Sequence, residues 1–327
     1  MRAGMTVMLL TLVLGSSVAC GKSSSHAAAA RSRGVYHLQQ GHYDVAIHTL
    51  DSAIAMNPED AEAYNSRGNA YASKDDLDLA IKDYDRAIDL NPKEPFAFKN
   101  RGTTYAAKDD VQRAIQDFDK SIALKPAFAG ALNGRGFLFL RAGENQRALQ
   151  DFDKSIQLEP GSVAAVRNRA TAHFILGHFA EAAADLERSL KFYESEKKPT
   201  EPLSATGAHA VLWLHIAKMR LHQNDSAEFA ARSARIDQVQ WPRPIVSFYT
   251  GKLTADQLLA TSSDSASEKQ RTLWRCGAEF YIANAATWKN QPGEARKHFE
   301  ATRADCPDRY VEHLVAEAEL QRLGAAK

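Results

Sequence analysis

The sequence predicts an all-α solenoid in which helix–turn–helix units stack one on the next and a C-terminal helix caps the row. Three observations carry this prediction. Ser66-Arg67-Gly68-Asn69-Ala70-Tyr71 returns as Asn100-Arg101-Gly102-Thr103-Thr104-Tyr105, and the 34-residue offset holds again for Ala80, Ala114 and Ala148. Tyr84, Phe118 and Phe152 keep one large ring per unit, and Pro92, Pro126 and Pro160 keep one helix stop. Within each unit the apolar and small positions recur at i, i+4 and i+7, one face of a helix. A single hairpin cannot bury such a face, so neighbours must stack. Composition agrees, since 44% of the 327 residues are apolar and 25% charged, too apolar for a disordered chain. The 41 Lys plus Arg against 40 Asp plus Glu argue against a nucleic-acid binder relying on general phosphate attraction. Three Cys are too few for a disulfide-dense scaffold.

Residues 1–19 read as a secretory signal peptide. Arg2 precedes the run Val7 to Leu14, which is too short to span a bilayer, and Gly15, Ser16 and Ser17 follow. Ser17-Val18-Ala19-Cys20 resembles the bacterial lipoprotein signal, with Ser17 where that family usually has Leu. Ordinary cleavage after Ala19 is the alternative. The resemblance implies that Cys20 is lipidated and becomes the first residue. Gly21 is not the Asp that often retains such proteins in the inner membrane, so it implies the periplasmic face of the outer membrane. Two or more acyl chains would anchor it stably, where one would not. Residues 20–26 are then a tether, reaching about 20 Å if extended. Gly15 and Gly21 are separated by five residues, so Gly21-Lys22-Ser23 does not complete a phosphate-binding loop.

The frame then gives repeats at 27–60, 61–94, 95–128, 129–162 and 163–196. The pattern resembles the tetratricopeptide repeat, which has large residues at positions 4, 11 and 24, small ones at 8, 20 and 27, and Pro at 32. The second unit supplies Tyr64, Tyr71 and Tyr84; Gly68, Ala80 and Ala87; and Pro92, with Arg67 in place of Leu at position 7. The first keeps Gly34, Ala46, Ala53 and Pro58. Small residues at 8 and 20 let the paired helices approach while the ring fills the space beside them. The resemblance implies a right-handed superhelix with a concave groove. Position 7 is always Arg (Arg33, Arg67, Arg101, Arg135, Arg169) and position 25 always acidic (Asp51, Asp85, Asp119, Asp153, Glu187). Asp83, Asp117, Asp151 and Asp185 add an acid at position 23. These groups form either a ladder of structural ion pairs or a set of ligand-binding arginines.

Positions 2, 5, 9 and 12 lie on the face that lines the groove in this family. Position 5 reads Arg31, Asn65, Lys99, Asn133 and Arg167; Asn100 and Asn168 join at position 6, Asn69 and Phe137 at position 9. Amides that both donate and accept suit an extended polypeptide, and the cations suit acidic side chains or a chain carboxylate. A solvated polar face is the alternative. The clamp that holds chaperone tails is not matched, because Asn65, Asn69 and Asn100 are followed by Gly130 and Gly134 where its cations belong.

The period fails after residue 196. Residues 197–275 read as an irregular helical region, with Lys197-Lys198-Pro199 and Trp241-Pro242-Arg243-Pro244 as breaks and an exposed Ser-rich loop at 262–268. A further repeat fits 276–309, with Ala295, Phe299 and Pro307 at positions 20, 24 and 32; residues 310–327 read as the capping helix closed by Gly324. Trp241, Ile245-Val246, Phe248-Tyr249, Gly251, Glu279-Phe280-Tyr281, Val311-Glu312-His313, Glu319-Leu320 and Leu323-Gly324 are similar to the NlpI family of outer-membrane lipoproteins. That resemblance implies a non-catalytic, homodimeric scaffold for cell-wall hydrolases and a periplasmic protease. An assembly factor for a pilus, secretin or outer-membrane complex is the second reading.

Cys276 and Cys306 fall at positions 1 and 31, where the antiparallel helices of one hairpin bring start and end together, so a disulfide is expected in an exported protein. No His-Glu-x-x-His, Cys-x-x-Cys or Gly-x-Gly-x-x-Gly occurs among these residues, and no metal or cofactor is expected. His209 and His215 are six residues apart, on different sides of a helix, and read as packing or surface residues. A hydrolase would need a cleft with placed acid and base, which stacked repeats do not supply. The expectation is a membrane-anchored adaptor without catalysis.

Overall fold

The structure is a computed structural model and describes residues 10–196, 201–236, 242–263, 267–308 and 310–325, with side chains from Ser25 onward. Trp241 and the side chain of Cys20 lie outside these. The described residues form helices and connecting turns, in two compact units, Met1–Arg135 and Gly136–Lys327.

The first unit holds α1 (Leu10–Gln39), α2 (Tyr43–Met56), α3 (Ala61–Ser73), α4 (Leu77–Leu90), α5 (Pro95–Ala107) and α6 (Val111–Leu124). Each packs on the next, and α1 also touches α3 as α3 touches α5, the contact order of stacked hairpins. The backbone of residues 20–26 continues α1 as helix. The boundary between units falls within α7 (Ala129–Arg141).

One local device recurs in all six repeats, and again outside the repeat frame at His222 (φ 53°). Position 15 adopts the left-handed conformation at Gly41, Asp75, Asp109, Gly143 and Gly177, with φ between 65° and 78°, and at Asn290 (φ 54°) in the repeat at 276–309. The next residue's N–H then bonds back five residues, as Asp76 to Tyr71 (3.0 Å), Asp110 to Tyr105 (2.9 Å) and Gln291 to Ala286 (2.9 Å). This satisfies carbonyls that a helix end would leave orphaned. Gly, Asn and Asp tolerate that conformation best, and no other type stands there.

Small position 8 and large position 24 meet as expected. A Cβ on Gly68 would lie 2.7 Å from the Tyr84 ring, which is fully buried. Repeat five instead carries Ala170 opposite the smaller Leu186, both buried. Gly68→Ala is therefore expected to cost about 1–3 kcal/mol from overpacking. Adding Tyr84→Leu should cost less than the sum of the single changes, as a urea-unfolding double-mutant cycle would show. Strict additivity would mean the pair does not interlock.

The position-7 arginines of repeats two to five form the ladder, whereas Arg33, in the repeat with Thr49 at position 23, is exposed. Arg67 grips Asp83 through Nε and Nη2 (2.8 and 2.7 Å) and Asp51 of the preceding repeat through Nη1 (2.6 Å). Arg101 treats Asp117 and Asp85 identically (2.8, 2.7 and 2.6 Å), and Arg169 does the same with Asp185 and Asp153 (2.8, 2.6 and 2.7 Å). Each guanidinium thus staples its own hairpin and ties it to the one before. The carboxylates raise the arginine pKa values, the hydrogen bond to position 23 most. At Glu187 the register changes, and its partners are Lys218 and Arg232, both at 2.9 Å. Burial alone would push Glu187 up, but those two hydrogen bonds hold it down at about 2.

The second unit continues with α8 (Asn145–Leu158), α9 (Val163–Leu176), α10 (Phe179–Glu196), α11 (Ala205–Arg220), α12 (Ser226–Ser233), α13 (Arg243–Tyr249), α14 (Ala255–Thr261), α15 (Glu268–Trp288), α16 (Pro292–Asp305) and α17 (Val311–Ala325). Its core joins α9, α11 and α15 through Trp213, which lies 5.1 Å from Phe174 and is stacked on Phe280 at 5.4 Å. The terminal helix α17 covers α16 and also turns back onto α9, where Arg322 caps the Phe174 and Ile175 carbonyls. Buried Glu319 ties Arg220 of α11 to Arg322. In the Ser-rich stretch Ser263, Ser267 and Glu268 are exposed as expected, Ser262 is buried with its hydroxyl bonded to the Leu259 carbonyl, and residues 264–266 lie outside the described residues.

Candidate functional site

The inner-face residues divide according to what the fold already uses. In the first unit Arg31 is consumed: Nη1 lies 2.8 and 2.7 Å from the Asp60 oxygens and Nη2 2.9 Å from Glu62. Asp60 is fixed in turn as the cap of α3, accepting from the Ala63 N–H. Asn69 accepts from the Tyr84 hydroxyl at 2.8 Å and so serves the core. These two positions hold the repeats together.

Lys99 stands differently. It is half-buried, donates to Asn100 Oδ1 at 3.2 Å, and forms no ion pair among the described residues. Asn100 Nδ2 donates to Asn65 Oδ1 at 3.0 Å, joining neighbouring repeats. Burial lowers the Lys99 pKa, the signature of a cation without its counter-charge. Gly130 stands close by, where an added Cβ would lie 3.8 Å from Lys99 Cε. Beside it Phe96, 45% exposed, meets Phe128 edge-on at 4.8 Å, and Lys125 Nζ lies 4.8 Å from both ring centres. A cleft of about 240 Å³ runs along Glu62, Asn65, Glu94 and Phe96. Asn133 is half-buried in the same unit. An uncompensated cation beside amides and an aromatic pair with one exposed ring can take a polypeptide carrying an acidic group next to an apolar one. The aromatic pair escaped the sequence reading. Phe96 and Phe128 stand at positions 2 and 34, the two ends of one repeat, outside the positions that carry the repeat signature.

In the second unit Phe137, Arg167 and Asn168 come together in a cavity of about 260 Å³ with Thr171, His209 and Tyr310. A neighbouring cavity of about 370 Å³ shares Arg167, His209 and Tyr310. His209 Nε2 lies 2.9 Å from Glu312 and 3.0 Å from the Trp213 indole nitrogen. Burial would raise Glu312, but the hydrogen bond and charge of His209 leave it lowered. His215 faces Asp225 at 2.9 Å and stacks on Phe229 at 4.0 Å, so both histidines are tied to carboxylates. A further cavity of about 750 Å³ is lined by His215, Tyr249, Trp288 and His298, among others. Among the described residues no cluster of three or more His, Cys, Asp or Glu is placed to hold a metal ion.

Several residues behind the outer-membrane lipoprotein resemblance are packing residues. Ile245, Val246 and Phe280 are buried in the core, Tyr249 donates to the Tyr281 carbonyl at 3.0 Å, and Glu279 meets His298 at 2.5 Å. Cys276 and Cys306 are joined in a disulfide with Cα atoms 5.2 Å apart.

A family profile described as tetratricopeptide repeat matches residues 26–95, 99–163 and 138–202, just over half of the chain. A search of the curated proteins gives no match. Among solved structures, PilF of Pseudomonas aeruginosa is 16% identical with a TM-score of 0.57, covering 72% of this chain and 100% of that one. PilW, a type IV pilus biogenesis factor, is 16% identical with a TM-score of 0.55, covering 66% and 94%. A tetratricopeptide repeat protein from Parabacteroides merdae is 15% identical with a TM-score of 0.51, covering 91% and 98%. At these identities the likeness is one of fold.

Proposed function

Since the chain belongs to the tetratricopeptide-repeat family, whose members are in general non-enzymatic scaffolds, we propose that it is an exported adaptor that binds a partner polypeptide on the inner face of its first unit. The observation that carries this is Lys99, a desolvated cation without a carboxylate beside the Asn65–Asn100 amide pair and the exposed Phe96 ring. Leaving such a charge uncompensated costs stability, and a bound acidic group offsets that cost. Among the described residues no helix is long and apolar enough to cross a membrane. In this reading attachment rests on lipid at Cys20, with the protein at the periplasmic face of the outer membrane. The resemblance at 241–251, 279–281 and 311–324 favours an NlpI-like role, in which cell-wall hydrolases or a periplasmic protease are recruited and governed by proximity, with the adaptor as a homodimer. The second reading, an assembly factor for a pilus, secretin or outer-membrane complex, draws on the fold shared with PilF and PilW.

The test is a pull-down from solubilised membranes with the tagged full chain and with Lys99→Glu. We expect one set of periplasmic proteins to be retained by the parent and depleted at least about tenfold by the charge reversal, at unchanged melting temperature. Hydrolases or a protease in that set support the first role, pilus or secretin components the second. Equal capture by both forms would remove the inner face from the account. Turnover of a wall substrate by the purified chain alone would contradict the non-enzymatic reading.

A further inference from the structure

The cavity of about 750 Å³ in the second unit carries a separate signal. Its α15 wall is Ile282, Ala285, Ala286 and Trp288, none of them at a groove-facing position of the repeat at 276–309. On α11, His215 Nδ1 lies 2.9 Å from both Asp225 oxygens, and that carboxylate makes no cap bond to α12, whose first residue it precedes. An ionised carboxylate only accepts, so Nδ1 carries the proton and, in the neutral ring, Nε2 offers a lone pair. Nε2 has no hydrogen-bond partner among the described residues. The ring is held by Phe229, stacked at 4.0 Å, and by Tyr249, edge-on at 4.9 Å. His298 of α16 repeats the arrangement, with Nδ1 2.5 Å from buried Glu279 and Nε2 3.6 Å from Glu294. Asp225 and Glu294 thus line the cavity and Glu279 backs it, against exposed Lys289 and His222. Lys297 stands 3.6 Å from Glu294, but both are exposed and such a pair contributes little. Trp288, 50% exposed, adds a ring whose face attracts cations.

We propose that this cavity binds an organic cation, an ammonium group on an apolar body. His215 Nε2 accepts from the ammonium, the carboxylates supply the field, and Tyr249, Ile282 and Trp288 receive the body. The size lies within the roughly 300–1,000 Å³ usual for small-ligand sites. The cavity is open at Gly251, where an added Cβ would meet nothing within 4 Å. An anion would meet three carboxylates and an unpartnered lone pair. A metal ion would lack its ligand set, since among the described residues no three His, Cys, Asp or Glu are placed to hold one. Two sources share the cationic chemistry, a free small amine and a lysine side chain of a polypeptide. The inference does not rest on the adaptor role of the first unit.

The full chain is titrated by NMR with phenethylamine, its uncharged analogue phenethyl alcohol and the anion hydrocinnamate. A second pair is acetyl-phenylalanyl-lysine amide and its norleucine counterpart. We expect the charged member of at least one pair to bind about tenfold more tightly than the uncharged one, and hydrocinnamate to bind most weakly. The His215 imidazole resonance, assigned with His215→Gln, should move along the same binding curve. Glu294→Gln, a change at an exposed side chain that leaves the fold intact, should weaken the cation by about threefold and leave phenethyl alcohol unaffected. Preference for phenethylamine alone identifies a free amine as the source, and preference for the lysine peptide alone identifies a polypeptide side chain. Equal affinity within both pairs, tighter binding of hydrocinnamate, a His215 resonance that stays fixed, or no binding of either cation up to about 10 mM overturns the proposal.

Discussion

Arg101→Ala should destabilise the repeat array by about 3–5 kcal/mol, the cost of stranding a buried charge. Its side chain holds Asp117, whose carboxylate is only 7% exposed, in a two-pronged grip, and Asp85, 48% exposed, in a single bond. The two partners predict unequal effects. Asp85→Ala removes an exposed arm and should cost no more than about 1 kcal/mol. Arg101→Met combined with Asp117→Leu removes both buried charges and should recover most of the loss. Urea unfolding followed by circular dichroism measures all three. The staple also joins repeats two and three, so the alanine variant should unfold with less cooperativity and a lower denaturant slope. Equal losses for Arg101→Ala and Asp85→Ala would show that Asp117 is not the stranded charge.

The second large effect concerns Cys276–Cys306. The bond closes the α15–α16 hairpin over a separation of 30 residues, and both sulfur-bearing residues are nearly inaccessible, at 2% and 4%. Replacing both with serine should cost about 3–4 kcal/mol on the chain-entropy account. The loss should appear in the second unit, because α17 packs on α16 and carries Glu319 and Arg322 to α9 and α11. Unfolding of the oxidised, reduced and double-serine proteins compares the three states. Free-thiol counting on the unreduced protein gives the direct check. Two reactive thiols, with stability indifferent to reductant, would refute the pairing.

Much of the first unit is legible in the chain because its contacts are local and periodic. Gly68 and Tyr84, or Arg101 and Asp117, are each 16 residues apart, so one hairpin brings them together wherever the frame repeats. The left-handed turns at position 15 were equally readable, since every occupant is Gly, Asp or Asn, but a search for large and small residues passes over them. Function was less legible. Arg31 and Lys99 share position 5 and looked equivalent, yet Asp60 and Glu62 neutralise the first and nothing described neutralises the second.

Stride, side-chain size and helix punctuation determined an array of helical hairpins by themselves, because each requirement is met within one repeat or its immediate neighbour. Tertiary structure decided the rest. The return of α17 onto α9, the pairing of His209 with Glu312 across 103 residues, and the cavity holding Arg167 and Tyr281 arise where the period has lapsed. There no fixed spacing relates the partners, and only the closure of distant helices around Trp213 brings the charges together.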